Sequence, residues 1–328
     1  MKPVTPPLTS SRRLRAAMAR LSTLFLVATL AVGTAPAEAS RHAIPTQVAA
    51  KKKHRKAKPQ ARARVRHHVR PAATVYNPGR PDVRAGSYLV IDTADAKVLA
   101  AQHADKAAPI ASITKLMTAM VVLEAGQSLD ESITIGPDEV RGTRGSASRI
   151  APGTVLTRGE LLRLALMSSE NRAASALCHN YPGGQRPCIA AMNAKAAALG
   201  MSSTRYVEPT GLSPQNVSSP RDLSRLVMAA AENPVIAEYS TTPAYAVTLR
   251  RQRAEFHNTN PLVKSPAWDI ALQKTGYIAE AGRCLVMRAA IDGRSVVIVL
   301  MNSWGTQTRF ADARRIRTWL ERRKPWNA

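Results

Sequence analysis

Strand-like runs stand at both ends of the folded part of this chain, and helical periodicity fills the space between them. Near the first end, "SYLVIDTADAKVLAAQ" reads as strand, turn, strand, with "TADA" as the turn. Toward the other end, "WDIALQKTGYI", "RCLVMRAAI" and "SVVIVLMN" are β-rich, and Asp292-Gly293 joins the last two as a hairpin signal. In the middle, "RGELLRLALMSS", Asn171 to His179, "IAAMNAKAAALG" and "PRDLSRLVMAAAEN" read as helices. Gly200 closes the third of these, while Pro220 and Pro234 bracket the fourth. Residues 127–157 read as loop with short strands at "SITI" and "TVLT", and "RFADARRIRTWLERR" as a closing amphipathic helix. Each element must bury its apolar face against another. The arrangement this predicts is an α/β fold of the α+β type: one antiparallel sheet built from both chain ends, flanked by helices, with an inserted all-α region.

The region ahead of residue 85 has a different character. The 328-residue chain has a formal net charge of +25, but residues 1–70 hold 16 Lys and Arg against the single acid Glu38. Arg12, Arg13, Arg15 and Arg20, the apolar run "LSTLFLVATLAVG" and the small residues of "APAEAS" have the order of a secretory signal, expected to span residues 1–39. The apolar run is short for a membrane span. Residues 40–84 include "AAKKKHRKAKPQARARVRHHVRP", a basic stretch without acids, which is expected to be a disordered linker. Electrostatic attachment to anionic cell wall or membrane headgroups and a plain solubilising spacer both fit it. The protein is expected to be exported to the periplasm, loosely associated with membrane or wall, and not to act on nucleic acid.

An oxidising compartment permits disulfides. Cys178 and Cys188 bracket the turn-rich "HNYPGGQRP" and are a candidate local pair, whereas Cys284 sits in an apolar run as a buried thiol.

The chemistry starts in "PIASITKLMTAM". Ile113, Leu116, Met117, Met120 and Val121 recur at helical spacing, and the opposite side is scarcely more polar. A helix apolar nearly all round is a buried one, yet Lys115 lies in it with Ser112 one turn earlier. Residues at i and i+3 share a face. Burial lowers a lysine's pKa, and a neutral amine beside a hydroxyl can take its proton and make it a nucleophile. S-x-x-K alone recurs by chance on many helices.

Two further fragments suit that chemistry. In "MSSENRAA", Ser169 and Asn171 fall at a break between helices, where Ser169 can relay a proton and Asn171 can bond a substrate amide; Asn171 also reads as a helix cap. In "QKTGYI", Lys274 and Thr275 can hold a carboxylate, and Gly276 lets a ligand backbone approach; a strand end with an exposed lysine is the alternative.

S-x-x-K, S-x-N and K-T-G in this order are the signature set of penicillin-binding proteins and serine β-lactamases. With "VEPTGLS", "FHNTNPLV" and "EAGRCLVMR", residues 85–320 resemble the D-alanyl-D-alanine endopeptidase branch of low-molecular-mass penicillin-binding proteins, relatives of penicillin-binding protein 7. The resemblance implies Ser112 as acylated nucleophile, Lys115 as general base, Ser169 and Asn171 for proton relay and substrate positioning, and Lys274 and Thr275 as carboxylate anchor. It also implies an oxyanion hole from the backbone amides of Ser112 and Tyr277. The implied substrates are peptidoglycan stem peptides and cross-links, with β-lactams as covalent inhibitors and no cofactor. Terminal D-Ala removal remains the alternative to cross-link cleavage.

Other classes fare worse. No H-E-x-x-H supports a zinc peptidase and no G-x-S-x-G an α/β-hydrolase. Glu208 lies in "EPTGL" rather than the E-x-x-L-N of class A β-lactamases, and a non-catalytic wall binder would have no use for both Ser112 and Lys115. Only Thr275 to Ala328 follows Lys274, so a single catalytic domain at 85–328 is expected, without an added β domain or amphipathic anchor.

Overall fold

The computed structural model describes residues 79–143 and 145–323. The expected signal (1–39) and most of the expected linker lie outside the described residues.

In chain order the elements are β1 (Ser87–Asp92), β2 (Val98–Gln102), β3 (Ala108–Pro109), a 3-10 turn (Ala111–Ile113), α1 (Thr114–Glu124), β4 (Ser132–Thr134), α2 (Pro137–Gly142), β5 (Val155–Thr157), α3 (Arg158–Met167), α4 (Asn171–His179) and α5 (Gln185–Ala198). There follow β6 (Val217–Ser218), α6 (Pro220–Ala231), α7 (Pro234–Thr241), β7 (Ala244–Leu249), β8 (Gln252–His257), a 3-10 turn (Pro261–Lys264), β9 (Asp269–Ile278), β10 (Gly282–Ile291), β11 (Arg294–Ser303) and α8 (Thr308–Arg322). Among the described residues no helix is long and apolar enough to cross a membrane.

The main sheet has the order β2-β1-β11-β10-β9, antiparallel throughout. Both chain ends build it, and β11 lies at its centre beside β1. Strand side chains alternate between faces, and β11 shows what each face meets. Val297, Val299 and Met301 join the core formed with α1, α3, α4 and α6. Val296, Ile298 and Leu300 join the second core, with Phe310, Ala313, Ile316, Trp319 and Leu320 of α8. A strand covered on both sides is apolar along its length, which is why "SVVIVLM" lacks polar alternation.

The helical insert is fixed by caps as well as burial. Thr157 and Glu160 cap α3 reciprocally, the Thr157 hydroxyl accepting from the Glu160 amide at 3.1 Å and the Glu160 carboxylate from the Thr157 amide at 2.8 Å. Cys178, in the last turn of α4, is disulfide-bonded to Cys188, in the first turn of α5, with 5.5 Å between their α-carbons. Both are fully buried, as is the free thiol of Cys284.

Several elements differ from the expectation. Pro234 does not merely end a helix: it is the first residue of α7, whose cap Asn233 accepts from the amides of Val235 and Ile236. Residues 127–157 contain the short helix α2, with Pro137 at its start. The β7–β8 hairpin was not foreseen at all. The folded region also begins before residue 85, because Pro81 is buried and the amides of Arg84 and Ala85 donate to the Asp312 carboxylate at 3.1 and 2.9 Å.

Candidate active site

Three pieces of chain converge where the helical insert meets β9. Ser112 occupies the 3-10 turn just ahead of α1, not α1 itself. A 3-10 turn has three residues per turn, so i and i+3 are stacked. Lys115 thus projects its Nζ to 2.9 Å from Ser112 Oγ. The same nitrogen lies 2.7 Å from Asn171 Oδ1 and 2.6 Å from the carbonyl oxygen of Thr210.

Those three contacts fit a lysine that exchanges a proton. A neutral amine has two N–H donors and one lone pair. Asn171 Oδ1 and the Thr210 carbonyl can only accept, so they take the two donors. The lone pair is left for the Ser112 hydroxyl. After it gains the proton, the ammonium keeps the same three partners. Lys115 is wholly buried, and desolvation lowers its pKa from 10.5 to about 7, against the pull of the Glu208 and Glu170 carboxylates.

Asn171 begins α4, but its side chain caps nothing; it is spent on Lys115. Ser169 holds a left-handed backbone, φ 63°, in the break between α3 and α4. Such conformations are strained for residues other than glycine and are retained where surroundings impose them. Here the result is a hydroxyl 2.8 Å from the Nζ of Lys274. Lys274 is fully buried in β9, and its pKa is held well below normal, first by desolvation and then by the Lys115 and Arg309 charges. Thr275 Oγ1 lies 2.6 Å from Thr259 Oγ1.

The glycine of K-T-G is needed for space. A β-carbon on Gly276 would lie 3.0 Å from the carbonyl oxygen of Ile110 and 3.1 Å from the Ser112 nitrogen. The strand therefore runs against the backbone of the Ser112 turn. Tyr277, next in β9, is 54% exposed, with the Arg283 guanidinium 4.3 Å above its ring. The structure so brings Ser112, Lys115, Ser169, Asn171, Lys274, Thr275 and Gly276 together, whereas the Tyr277 ring points into solvent and the cystine is a core cross-link.

Sequence reasoning missed the turn that supports Lys115. The Glu208 carboxylate accepts from the amide and hydroxyl of Thr210 at 2.7 and 2.5 Å and from the Gly211 amide at 2.6 Å. Buried Asn216 braces this turn, donating to Glu208 Oε1 and to Thr114 Oγ1. The turn aims the Thr210 carbonyl at Lys115. "EPTG", a carboxylate two and three residues before the amides it accepts from, was the available signal. Arg309 was missed too: it reaches from α8 to donate to the Gly276 carbonyl at 2.8 Å. Among the described residues no cluster of three or more His, Cys, Asp or Glu is placed to hold a metal ion.

A half-buried serine paired with a buried lysine, a second serine facing a lysine on the outer sheet strand, and a sheet made from both chain ends define a serine acyl-transfer enzyme of the DD-peptidase fold. Comparison with known proteins narrows this. Residues 74–305 match the family described as D-alanyl-D-alanine carboxypeptidase, peptidase S11. The D-alanyl-D-alanine endopeptidase of Pseudomonas aeruginosa is 50% identical over 246 residues, 74% of this chain and 79% of that one. That of Escherichia coli is 46% identical over 255 residues, covering 77% and 82%. Among solved structures, a D-alanyl-D-alanine carboxypeptidase of Mycobacterium tuberculosis superposes with a TM-score of 0.68 at 30% identity, covering 79% of this chain and 97% of that one. The chain belongs to the D-alanyl-D-alanine carboxypeptidase family of serine DD-peptidases.

Proposed function

We propose that this enzyme is a D-alanyl-D-alanine endopeptidase that opens peptidoglycan cross-links through an acyl-serine intermediate. The observation that carries the reading is the three-way contact of Lys115 with Ser112 Oγ, Asn171 Oδ1 and the Thr210 carbonyl. Lys115 takes the Ser112 proton as Oγ attacks the D-Ala carbonyl carbon. The oxygen that gains negative charge is met by the backbone amides of Ser112 and Tyr277. As the C–N bond breaks, Ser169 passes a proton to the departing amine. Water then hydrolyses the acyl-enzyme and returns the proton to Ser112.

Lys274 and Thr275 receive the carboxylate beside the scissile bond. A terminal D-Ala presents one there, and so does the D-centre of a cross-linked diaminopimelate, so this anchor serves carboxypeptidase and endopeptidase alike. The relatives at 46–50% identity favour the endopeptidase. Glu208 speaks against a β-lactamase: Oε2 already accepts from the Thr210 amide and hydroxyl and Oε1 from the Gly211 amide and the Asn216 side chain, so each oxygen has at least two donors before any deacylating water.

Purified protein incubated with cross-linked dimers and with pentapeptide monomers tests the reading. It expects dimers to vanish while monomers stay untrimmed, and labelled penicillin to acylate wild type but not Ser112→Ala. Trimmed monomers with intact dimers would replace it by a carboxypeptidase. We further propose that residues 1–39 direct export to the periplasm and that the basic segment tethers the enzyme to anionic wall or headgroups. High salt screens such attachment; retention through a salt wash would exclude it.

A further inference from the structure

A hollow of about 360 Å³ opens beside the S-E-N motif, lined by Ser148, Arg149, Ser168, Glu170, Phe256 and His257. Its walls come from the segment before β5, the α3–α4 break, and the end of β8. Ser168 and Glu170 flank Ser169, so the hollow continues the cleft on the Ser169 side. It is tied to the carboxylate anchor as well. Thr259, two residues beyond His257, bonds Thr275 through its hydroxyl and the Met167 carbonyl through its amide at 3.0 Å.

Direction follows from the chemistry. The carboxylate that Lys274 and Thr275 receive belongs to the departing amine, so this end of the cleft is the leaving-group side. The other end is closed by Lys115, Thr210 and the Glu208 turn. A departing D-Ala stops at that carboxylate. The amine released from a cross-link is a whole second stem peptide, with further carboxylates beyond the first. Only that leaving group has chain to place in the hollow.

The lining suits an anion. Arg149 is exposed but held: its guanidinium lies 3.8 Å over the Phe256 ring, and Nη2 donates to the Glu255 carbonyl at 2.6 Å. Among the described residues the guanidinium makes no other hydrogen bond, so Nε and Nη1 remain as donors, with the Glu170 carboxylate close enough to feel its charge. Arg250, at the tip of the β7–β8 hairpin, donates to the Pro152 carbonyl at 3.0 Å and fixes the hairpin to the opposite wall. Of the nearby carboxylates, Glu170 accepts from Ser148 Oγ at 2.8 Å and from the Arg149 amide at 3.4 Å, and Glu255 Oε2 lies 4.0 Å from Nε2 of His257. A planar guanidinium braced on an aromatic face loses little freedom when it binds a carboxylate.

We propose that this hollow is the subsite for the amine-side stem peptide of a cross-link, with Arg149 binding one of its carboxylates, so that it selects cross-links over terminal D-Ala. The proposal rests on the endopeptidase reading. Its test compares wild type, Arg149→Glu and Arg149→Lys on cross-linked dimers and pentapeptide monomers, with labelled penicillin as the measure of an intact acylation site. Arg149→Glu should lower kcat/KM for dimers about tenfold through KM, with any monomer trimming and penicillin acylation within about twofold; Arg149→Lys should recover part of the loss. Equal dimer cleavage by all three proteins would overturn the subsite while leaving the endopeptidase standing. A wild type that acylates with penicillin yet cleaves no dimer would overturn both.

Discussion

The Nζ of Lys115 and the carbonyl oxygen of Thr210 are 2.6 Å apart although 95 positions separate them in the chain. This contact occupies one amine hydrogen, Asn171 a second, and so turns the remaining valence of the nitrogen toward Ser112. With burial holding Lys115 at a pKa of about 7, the neutral fraction grows as pH rises through that value. Acylation should therefore climb with pH across about 6 to 8. Lys274 imposes the opposite limb. Its pKa is depressed in the empty cleft, and an incoming carboxylate supplies the missing counter-charge, so binding favours its protonated form and weakens at high pH. Rates of labelled-penicillin acylation against pH should trace a bell; a rate that only falls from pH 6 to 8 would remove the neutral-lysine mechanism.

Glu208 should shift that profile in a definite direction. Its carboxylate raises the Lys115 pKa, in opposition to desolvation. Glu208→Gln removes the charge and moves the rising limb to lower pH. It also replaces an acceptor oxygen with an amide nitrogen facing N–H donors, at a cost of about 1–3 kcal/mol, read from urea unfolding. A shift toward higher pH would contradict the assigned electrostatics.

What could be foreseen divides along a physical line. Ser112 and Lys115 were readable because one helical turn sets their geometry, and β9 to β11 because apolar runs of that length have few other uses. The support of Lys115 by Thr210 was not, since a carbonyl is common to every residue and only the "EPTG" turn that aims it leaves a mark in the sequence. The β7–β8 hairpin hid for a related reason. Its turn puts Arg250 and Arg251 at φ 44° and 69°, where Asn-Gly would have announced it. Pro234 was ambiguous in kind: a proline that cannot continue one helix is also suited to begin the next.

The cystine should contribute stability more than chemistry. It spans a separation of 10 residues and joins α4 to α5, while Asn171 stands at the far end of α4. Closing so short a loop stabilises by about 2–3 kcal/mol. Cys178→Ala with Cys188→Ala should lower the melting temperature yet keep penicillin acylation within about threefold at temperatures where the protein is folded. An acylation rate that fell in parallel with stability, at full folding, would instead make the cystine part of the site's alignment.

Gly211 carries the sharpest steric expectation. Its φ is 83°, and a β-carbon there would sit 1.9 Å from the carbonyl oxygen and 2.2 Å from the carbonyl carbon of Ala111, the residue before Ser112. These are backbone atoms, and Ala111 is itself at φ 48°, so neither side of the contact can yield by changing a rotamer. Gly211→Ala must push the Ser112 turn or the Thr210 carbonyl out of place, and both belong to the same proton path. The expected outcome is a loss of about 3 kcal/mol or more in stability. Acylation should fall at least about a hundredfold where the protein remains folded. Gly200 makes the control, since it also has positive φ, 69°, but nothing within 4 Å of its added carbon. Gly200→Ala should cost only about 1 kcal/mol of backbone strain and leave acylation as it was. Equal effects from the two substitutions, measured by urea midpoint and penicillin labelling, would show that the contact with Ala111 does not govern the nucleophile.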